Sequence, residues 1–464
     1  MYTIVKRDVL DPSPIYYTVR DGEFIYSRSL RELLNSGIMV HLSPLAFQYL
    51  LALGYLPFNL TLIEGVNKLI PGEEIIVKED ASTTRRMTPM PGDKMDSPVD
   101  LKVLRSILEE AVMNSVRDVK EACAALSGGM DTSTIIALAR SHLDRLHTFT
   151  MGFGLPTDEF EDARIVSDHF DTIHHEIFYD FAEEVENYPE LVYAMEEPRL
   201  NLYVEKVHRE ASPYSKRFLC GLGGDELFKG YQNTNRFKLA RRLSKLSRIP
   251  GGITLASFLR NRLIGVKLTD NLKRDHKWLY VTFVSPLRYN PSLWMDAYQR
   301  MDLIGVEYMG DFEEYCYLVE FRTKMIEDTL VPEYKMAEIH HLDIKFPLLD
   351  RQLFKTAFSI PFRCHIRGGE GKILMKEMVK ELLPERCLRK SKRGFSLSPI
   401  QMYEKAQPSI DDLLKGSEPV RRYFGPDNLA KVKEEFESGR NRYVNARTLI
   451  LLYGFHFWAE RFLQ

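Results

Sequence analysis

Apolar and polar residues alternate in short bursts over roughly the first 85 residues, which is typical of strands that bury one face. Residues 15–26 are predicted to form a β-hairpin, because two alternating runs flank an Asp21-Gly22 turn. A short helix is predicted over Ser29–Leu34, ending at Gly37, and a second, apolar helix is predicted to begin at Pro44 with Ser43 as its cap. The final strand of this part is predicted to end at Val77.

A stretch rich in turn-forming residues, Met87–Lys94, has no periodicity and predicts a linker. A chain of 464 residues is too long for one compact core, so two domains are expected. The predicted boundaries are residues 1–85 for a small α+β domain, 86–97 for the linker and 98–464 for the second domain.

In the second domain, runs with the period of a strand alternate with runs with the period of a helix. Amphipathic helices are predicted over Leu101–Val116 and residues 158–170. Extended runs lie before, between and after them, at residues 124–126, 146–153, 174–178 and 218–220. This order favours an α/β fold with a doubly wound parallel sheet, in which ligands bind at the carboxyl ends of the strands. Beyond residue 230 the pattern is mostly helical, up to Arg447–Phe462.

The segment Ala124–Ala139 combines a strand, a glycine turn and a helix start. The first N–H groups of a helix lack intrahelical partners and lie at the positive end of its dipole, so they attract anions. The turn adds glycines that allow a phosphate to approach, and hydroxyl donors: Gly128, Gly129, Ser127, Thr132 and Ser133. Asp131 would repel a phosphate unless it holds a divalent cation that the phosphates share. The segment therefore predicts a nucleoside triphosphate site with magnesium, rather than a simple turn.

Composition narrows the class of protein. A formal net charge of -2 gives no electrostatic case for nucleic acid as the main partner. The five cysteines are scattered without a Cys-x-x-Cys pair, which argues against a zinc site or a disulfide framework. No apolar run reaches the ~18 residues of a membrane span, and the N-terminus is unlike a signal peptide. A cytoplasmic protein that binds neither nucleic acid nor membrane is expected.

The sequence Ser127–Ser133 resembles the PP-loop of the ATP pyrophosphatase superfamily, whose members cleave ATP between the α and β phosphates. It is not a Walker A loop, because the spacing and the Gly-Lys-Ser/Thr ending are absent. Further segments, in the same order, resemble motifs of the asparagine synthetase family: Thr148–Phe153, Asp158–Ala163 with His174–Glu176, Gly223–Tyr231, Phe346–Asp350, Gly371–Lys376, and Lys392–Ser396 with Pro399. The resemblance covers residues 98 to the C-terminus and implies a sheet of the adenine nucleotide α-hydrolase type with a helical C-terminal part.

The resemblance implies roles for individual residues. Asp131 and Asp225 would hold magnesium on the pyrophosphate portion of ATP, since hard oxygen ligands suit that ion; Asp225 after a glycine turn can also be a helix N-cap. Lys372 would be catalytic and stabilise charge at the reacting acyl carbon, although a lysine at such a turn can also be solvated. The implied ATP-binding residues are Leu126, Ser127, Gly128, Gly129, Met130, Asp131, Thr132, Ser133, Met151, Gly221 and Leu222.

Two features depart from the family. Its full-length members carry a catalytic cysteine directly after Met1 that releases ammonia from glutamine, whereas this chain has Tyr2 and no cysteine before Cys123. Residues 15–77 still resemble the later part of that amidotransferase domain, so a truncated domain without glutamine hydrolysis is expected. Leu222 stands where asparagine synthetases carry Glu and β-lactam synthetases carry Tyr, and a leucine cannot transfer a proton.

Several charged groups have two interpretations. Lys390, Lys392 and Arg393 either form a solvated surface run or help to hold phosphates. The pairs His174-His175 and His340-His341 are interpreted as structural rather than metal-binding, because adjacent strand residues point to opposite faces. The basic stretch Arg236–Arg248 is interpreted as a solvated helical face rather than an RNA-binding surface.

The expected function is ATP-dependent amide formation through an acyl-adenylate. By resemblance, aspartate and ammonia are the default substrates, and ATP with Mg²⁺ is required. A peptide or intramolecular amine, as in β-lactam and lasso-peptide cyclases, is a close variant. The other hypothesis is a nucleotide-binding partner or regulator without chemistry of its own. A separate amidotransferase or a second copy of the chain are the candidate protein partners.

Overall fold

The computed structural model describes residues 2–79, 82–90, 100–230, 276–390 and 397–463. The elements of the N-terminal part are β1 Tyr2–Lys6, β2 Tyr16–Arg20, β3 Glu23–Ser27, α1 Leu30–Leu34, α2 Pro44–Leu53, β4 Asn67–Lys68, β5 Glu73–Lys78 and β6 Thr83–Met87. They form two antiparallel three-stranded sheets with the strand orders β1-β5-β6 and β3-β2-β4.

Most local predictions for this part are confirmed. The β2–β3 hairpin turns at Asp21-Gly22, and the side chain of Ser43 accepts a hydrogen bond from an N–H group in the first turn of α2. Ser29, predicted to lie within the first helix, caps α1 in the same way. The prediction of a final strand ending at Val77 is wrong, because β6 follows and pairs with β5. Its sequence, Thr-Thr-Arg-Arg-Met, is exposed along most of its length and so carries no hydrophobic periodicity.

A five-stranded sheet forms the centre of the second part. Its strands are β7 Glu121–Ala125, β8 Arg145–Gly152, β9 Ile173–Phe178, β10 Arg217–Leu219 and β11 Asp343–Lys345. All are parallel, in the order β11-β10-β7-β8-β9. Successive side chains of β7 at 122–124 are fully buried, so both faces of the sheet are covered. The α/β fold with a doubly wound parallel sheet is confirmed, whereas β11, three residues within a region predicted as helical, was missed.

Helices surround the sheet and fill most of the remaining described chain. The α-helices are α3 Leu101–Val116, α4 Met130–Arg140, α5 Phe160–Phe170, α6 Phe181–Glu184, α7 Tyr188–Met195, α8 Glu205–Ala211, α9 Gly224–Phe228, α10 His276–Leu279, α11 Trp294–Arg300, α12 Phe312–Glu320, α13 Val331–Ile339, α14 Arg351–Ser359, α15 Ile373–Val379, α16 Glu385–Arg389, α17 Pro399–Gly416, α18 Glu418–Tyr423, α19 Pro426–Glu437 and α20 Arg442–Phe462. Two π-helical segments are Tyr280–Val284 and Phe321–Leu330. Short 3₁₀ turns are Leu202–Val204, Pro286–Tyr289, Pro291–Leu293, Pro347–Leu349 and Phe362–Cys364.

Helix α20, the longest, is buried rather than exposed. Its Trp458 is fully buried and donates a hydrogen bond to the carbonyl of Glu196 (2.9 Å). Over the residues that the structure describes, no helix combines the length and the apolar character needed to cross a membrane. Most of the predicted linker, the basic stretch Arg236–Arg248 and the motif Lys392–Ser396 lie outside the described residues.

Buried charges join the N-terminal part to the π-helical segment Phe321–Leu330. Glu327 of that segment accepts hydrogen bonds from Arg7 (2.7 Å) and Lys68 (2.5 Å), and all three side chains are buried. Burial alone would raise the pKa of Glu327, but Lys68 and Arg7 outweigh it and hold that pKa below its usual value. The same π-helical segment carries Lys324 and Asp328, which line the cavity of the candidate active site.

Candidate active site

The loop between β7 and α4 is held in shape by its own side chains. Ser127 Oγ accepts a hydrogen bond from the N–H of Gly129, and the N–H of Ser127 donates to Thr132 Oγ1, each at 3.2 Å. Gly128 has a φ of +66°, and a Cβ there would lie 2.5 Å from the backbone of Asp162, so only glycine fits. No side chain caps the start of α4. Its first N–H groups are therefore available to an anion.

A second glycine turn follows β10, the neighbour of β7 in the sheet. A Cβ on Gly221 would lie 2.6 Å from Thr132 Cγ2, and a Cβ on Gly224 would collide with the carboxylate of Asp131. Glycine at both positions therefore lets the two turns touch. The prediction that both turns face one pocket is confirmed.

Lys372 connects the two turns. Its Nζ lies 2.5 Å from Asp131 Oδ2 and 2.8 Å from Asp225 Oδ1. Its backbone N–H donates to the carbonyl of Phe228 (2.8 Å), which ties the start of α15 to α9. Burial disfavours the ammonium, but Asp131 and Asp225 outweigh it and raise the pKa of Lys372 above its usual value. The two carboxylates therefore favour the ammonium form of Lys372.

Asp131 and Asp225 also fit a divalent cation. Their carboxylates converge on one ammonium group, so the space between them already favours positive charge. Magnesium is usually bound by one or two carboxylates, with substrate phosphates and water as its other ligands. No larger cluster of potential metal ligands occurs among the described residues. Two carboxylates beside the uncapped start of α4 match that donor set.

These groups line a cavity of about 1210 Å³ at the carboxyl ends of β7, β8 and β10. The predicted site residues in its wall are Leu126, Ser127, Gly129, Met130, Asp131, Thr132, Met151, Gly221, Leu222, Asp225 and Lys372. Two predicted residues are not in the wall. Gly128 packs against the backbone of Asp162, and Ser133 is fully buried within α4.

Comparison with known families agrees with this geometry. The family model described as asparagine synthase matches residues 103–460, well over half of the chain. The chain belongs to the asparagine synthase family. The match includes the PP-loop, the Gly221–Asp225 turn and Lys372, so the three parts of the cavity described above fall within the family's domain.

Individual relatives show the same membership. Asparagine synthetase (glutamine-hydrolyzing) 1 of Bacillus subtilis is 24% identical over 426 residues, covering 86% of this chain and 66% of the relative. A Methanocaldococcus jannaschii protein, provisionally named asparagine synthetase (glutamine-hydrolyzing) 2, is 30% identical over 264 residues, covering 53% of this chain and 51% of the relative. The chain thus spans between half and two thirds of the length of these relatives. The match to the Bacillus protein extends past the family domain into the N-terminal part.

Lys390 lies in the cavity wall, beside the PP-loop. Its Nζ donates to the carbonyl of Ser127 (2.6 Å) and forms ion pairs with Glu159 (2.6 Å) and Asp162 (3.1 Å). Its side chain is only 8% exposed, so the interpretation as a solvated surface run is wrong for this lysine. Lys392 and Arg393 lie outside the described residues.

Sequence reasoning missed a charged group in the cavity, formed by Lys324, Asp328 and Arg447. Burial raises the pKa of Asp328, and its cationic neighbours Lys324, Arg199 and Arg447 offset that effect only in part. Two of these residues lie on the π-helical segment, whose wider turn breaks the spacing by which an α-helical face is recognised. A further missed pair, His208 and Glu333, also lines the cavity.

The histidine pairs make contacts typical of structural residues. His175 Nε2 lies 3.0 Å from His147 Nδ1, and His174 Nδ1 lies 3.0 Å from Thr148 Oγ1. His340 Nε2 lies 2.6 Å from Glu205 Oε1. These contacts support the structural interpretation of both pairs.

Proposed function

We propose that this chain catalyses ATP-dependent amide-bond formation through an acyl-adenylate. A carboxylate oxygen attacks the α-phosphorus of ATP and pyrophosphate leaves. An amine then attacks the acyl carbon, and AMP leaves with the carboxylate oxygen. The observation that carries the proposal is the ammonium of Lys372, held between Asp131 and Asp225 and beside a PP-loop in one cavity.

The PP-loop is proposed to bind the pyrophosphate portion of ATP. The start of α4 opens onto the cavity without a side-chain cap, so backbone N–H groups and the helix dipole can meet the phosphates. Asp131 and Asp225 would hold the magnesium ion, which when bound supplies positive charge to the phosphates. Met151, at the end of β8, borders the same cavity on the side proposed for the adenine.

Lys372 is proposed to stabilise the charge that develops on the acyl oxygen as the amine adds. Its side chain is only 14% exposed, and a cation in such a water-poor site acts more strongly than one in bulk water. Without magnesium, Asp131 and Asp225 hold its ammonium group between the two turns, and its backbone adopts a left-handed conformation.

Aspartate and ammonia are the proposed substrates, because the relatives are named asparagine synthetases. Leu222 replaces the Glu and Tyr of the two better-known subfamilies, so a peptide amine is the alternative acceptor. The chain has Tyr2 and no cysteine before Cys123. We therefore propose that ammonia comes from solution or from a separate amidotransferase, rather than from glutamine hydrolysis by residues of this chain.

The test is release of AMP and pyrophosphate from ATP and Mg²⁺ with a panel of carboxylic acids and hydroxylamine, which traps an acyl-adenylate. We expect AMP that depends on the acid, and a loss of roughly 10²-fold or more in Asp131→Ala, Asp225→Ala and Lys372→Ala. Lys376→Ala is the matched control, since Lys376 lines the cavity and forms an ion pair with the exposed Glu370 rather than with Asp131 or Asp225. Unchanged turnover in all three variants would contradict the proposal, and ATP binding without AMP under any condition would favour a regulator.

A further inference from the structure

Amide formation releases a proton that some group in the cavity must accept. When an amine adds to the acyl carbon, its nitrogen becomes positively charged and has to lose a proton before the product is stable. Leu222, three residues after the end of β10, has no side-chain atom that can accept it. The acceptor must therefore come from another part of the cavity wall.

Most carboxylates in the wall are already engaged. Asp131 and Asp225 hold Lys372, and Glu159 holds Lys390 at 2.6 Å. Glu370 is 63% exposed and pairs with Lys376, so it belongs to the rim. Among the described residues of the wall, Asp328 and Glu333 remain.

Glu333 lies at the same strand end as Leu222. It is on the first turn of α13, close to Cys220, which is two residues before Leu222. Burial is the main cause of the raised pKa of Cys220, and the charge of Glu333 is the second. Its side chain is 18% exposed and lines the cavity. Oε2 is 2.9 Å from His208 Nε2, and no residue in the described ranges makes a hydrogen bond to Oε1. One oxygen is therefore fixed, and the other is available to a ligand.

His208 orients this carboxylate. Its side chain is 1% exposed, and its Nδ1 is buried with no hydrogen-bond partner in the described part of the chain. A carboxylate only accepts hydrogen bonds, so Nε2 must carry the proton and donate it to Glu333. The rings of His208 and Phe218 pack in a T-shaped arrangement with their centroids 4.8 Å apart, which restricts the orientation of His208.

We infer that Glu333 is the general base of the amide-forming step and that His208 is its positioning residue. This inference rests on the proposed function. The amine nitrogen forms a bond to the acyl carbon, its proton passes to Glu333 Oε1, and the bond between the acyl carbon and the oxygen of AMP breaks. AMP leaves as an anion, and Glu333 returns its proton to water.

The groups that face Glu333 come from three elements. Among the described residues, they are His208 of α8, Tyr203 of the 3₁₀ turn Leu202–Val204, and Cys220 after β10. Burial is the main reason that the pKa values of Tyr203 and Cys220 are raised, and the charge of Glu333 raises both further. Asp328 has a different environment, because Lys324, Arg199 and Arg447 surround it. It balances those cations, and no histidine of the described ranges makes a hydrogen bond to its carboxylate.

The experiment separates the two half-reactions. Carboxylate-dependent exchange of pyrophosphate into ATP, with aspartate as the first probe, measures adenylation without an amine. Amide formation with ammonia and with hydroxylamine measures the second step. In Glu333→Gln we expect normal exchange and amide formation with ammonia lowered about 10²-fold or more. The loss should be smaller with hydroxylamine, since its less basic nitrogen gives up the proton more readily.

His208 is tested by a pair of variants. His208→Leu should show the same selective loss, and His208→Gln should restore part of it, because an amide N–H can donate to the carboxylate. Asp328→Asn is the matched carboxylate control. If the wild-type chain shows no exchange of pyrophosphate into ATP with any carboxylic acid, the proposed function is wrong. Three results would overturn the role of Glu333. Glu333→Gln could keep both exchange and amide formation, or lose both half-reactions equally. Alternatively, the selective loss of amide formation could occur in Asp328→Asn alone.

Discussion

Replacing Lys372 with Met should allow magnesium binding at Asp131 and Asp225 to be detected through protein stability, without any substrate. The change removes the cation between Asp131 and Asp225, whose side chains are 17% and 13% exposed. Breaking a buried ion pair by removing one partner costs about 3–5 kcal/mol, and the partial exposure of these carboxylates puts the expected loss near 3 kcal/mol. Methionine keeps the length of the side chain, and it meets the same left-handed backbone conformation as lysine.

Magnesium should reverse much of this loss, because the two carboxylates then have no competing ammonium. An ion that binds only the folded state adds about 2.7 kcal/mol at 100 times its dissociation constant. The assay is urea denaturation of the wild type and of Lys372→Met with and without Mg²⁺. Lys376→Met is the control, because its pair with the exposed Glu370 is worth less than about 1 kcal/mol. A magnesium response in Lys372→Met no larger than that of the wild type would refute the assignment of Asp131 and Asp225.

Two further predictions concern stability. Lys68 and Arg7 hold the pKa of Glu327 below its usual value, so the ionised carboxylate stabilises the folded state. This contribution to the free energy of unfolding is complete above the unfolded-state pKa of about 4.3, and it is lost as the pH falls through the folded-state pKa. Glu327→Gln should lose about 3–5 kcal/mol at pH 7 and show a weaker decline in acid, measured by urea denaturation across pH; parallel curves would argue against this. Gly128→Ala should cost about 2–4 kcal/mol from its left-handed φ and its contact with Asp162. Gly129→Ala, whose Cβ would meet only Ser127 Oγ at 3.1 Å, should cost less, and equal losses would contradict the packing argument.

The parts of the fold that sequence could predict are those set by neighbouring residues. The β2–β3 hairpin, the Ser43 cap and helix α3 each depend on a short local pattern. Strands β6 and β11 depend on pairing with distant segments. β6 is polar and exposed, and β11 has three residues, so neither carries a periodic signal of its own.

The candidate site divides in the same way. The PP-loop is one continuous segment, and its glycines, its hydroxyl groups and Asp131 could be interpreted from their order. His208 and Glu333 are 125 residues apart and meet only because α8 packs against α13. For Ser133, the order of residues gave a misleading signal. Its position after Asp131 and Thr132 predicted contact with ATP, but the first turn of α4 buries its side chain.

The most direct test of the central claim is to follow ¹⁸O from a labelled carboxylate substrate through one turnover with ATP, Mg²⁺ and ammonia. If an acyl-adenylate forms in the cavity of Asp131, Asp225 and Lys372, one ¹⁸O atom is transferred to AMP, because the carboxylate oxygen becomes part of the leaving group. Mass spectrometry of the nucleotide and of inorganic phosphate distinguishes an acyl-adenylate from an acyl-phosphate intermediate. Label in AMP is the result that we predict. Amide formation with ADP as the nucleotide product and the label in inorganic phosphate would contradict the account.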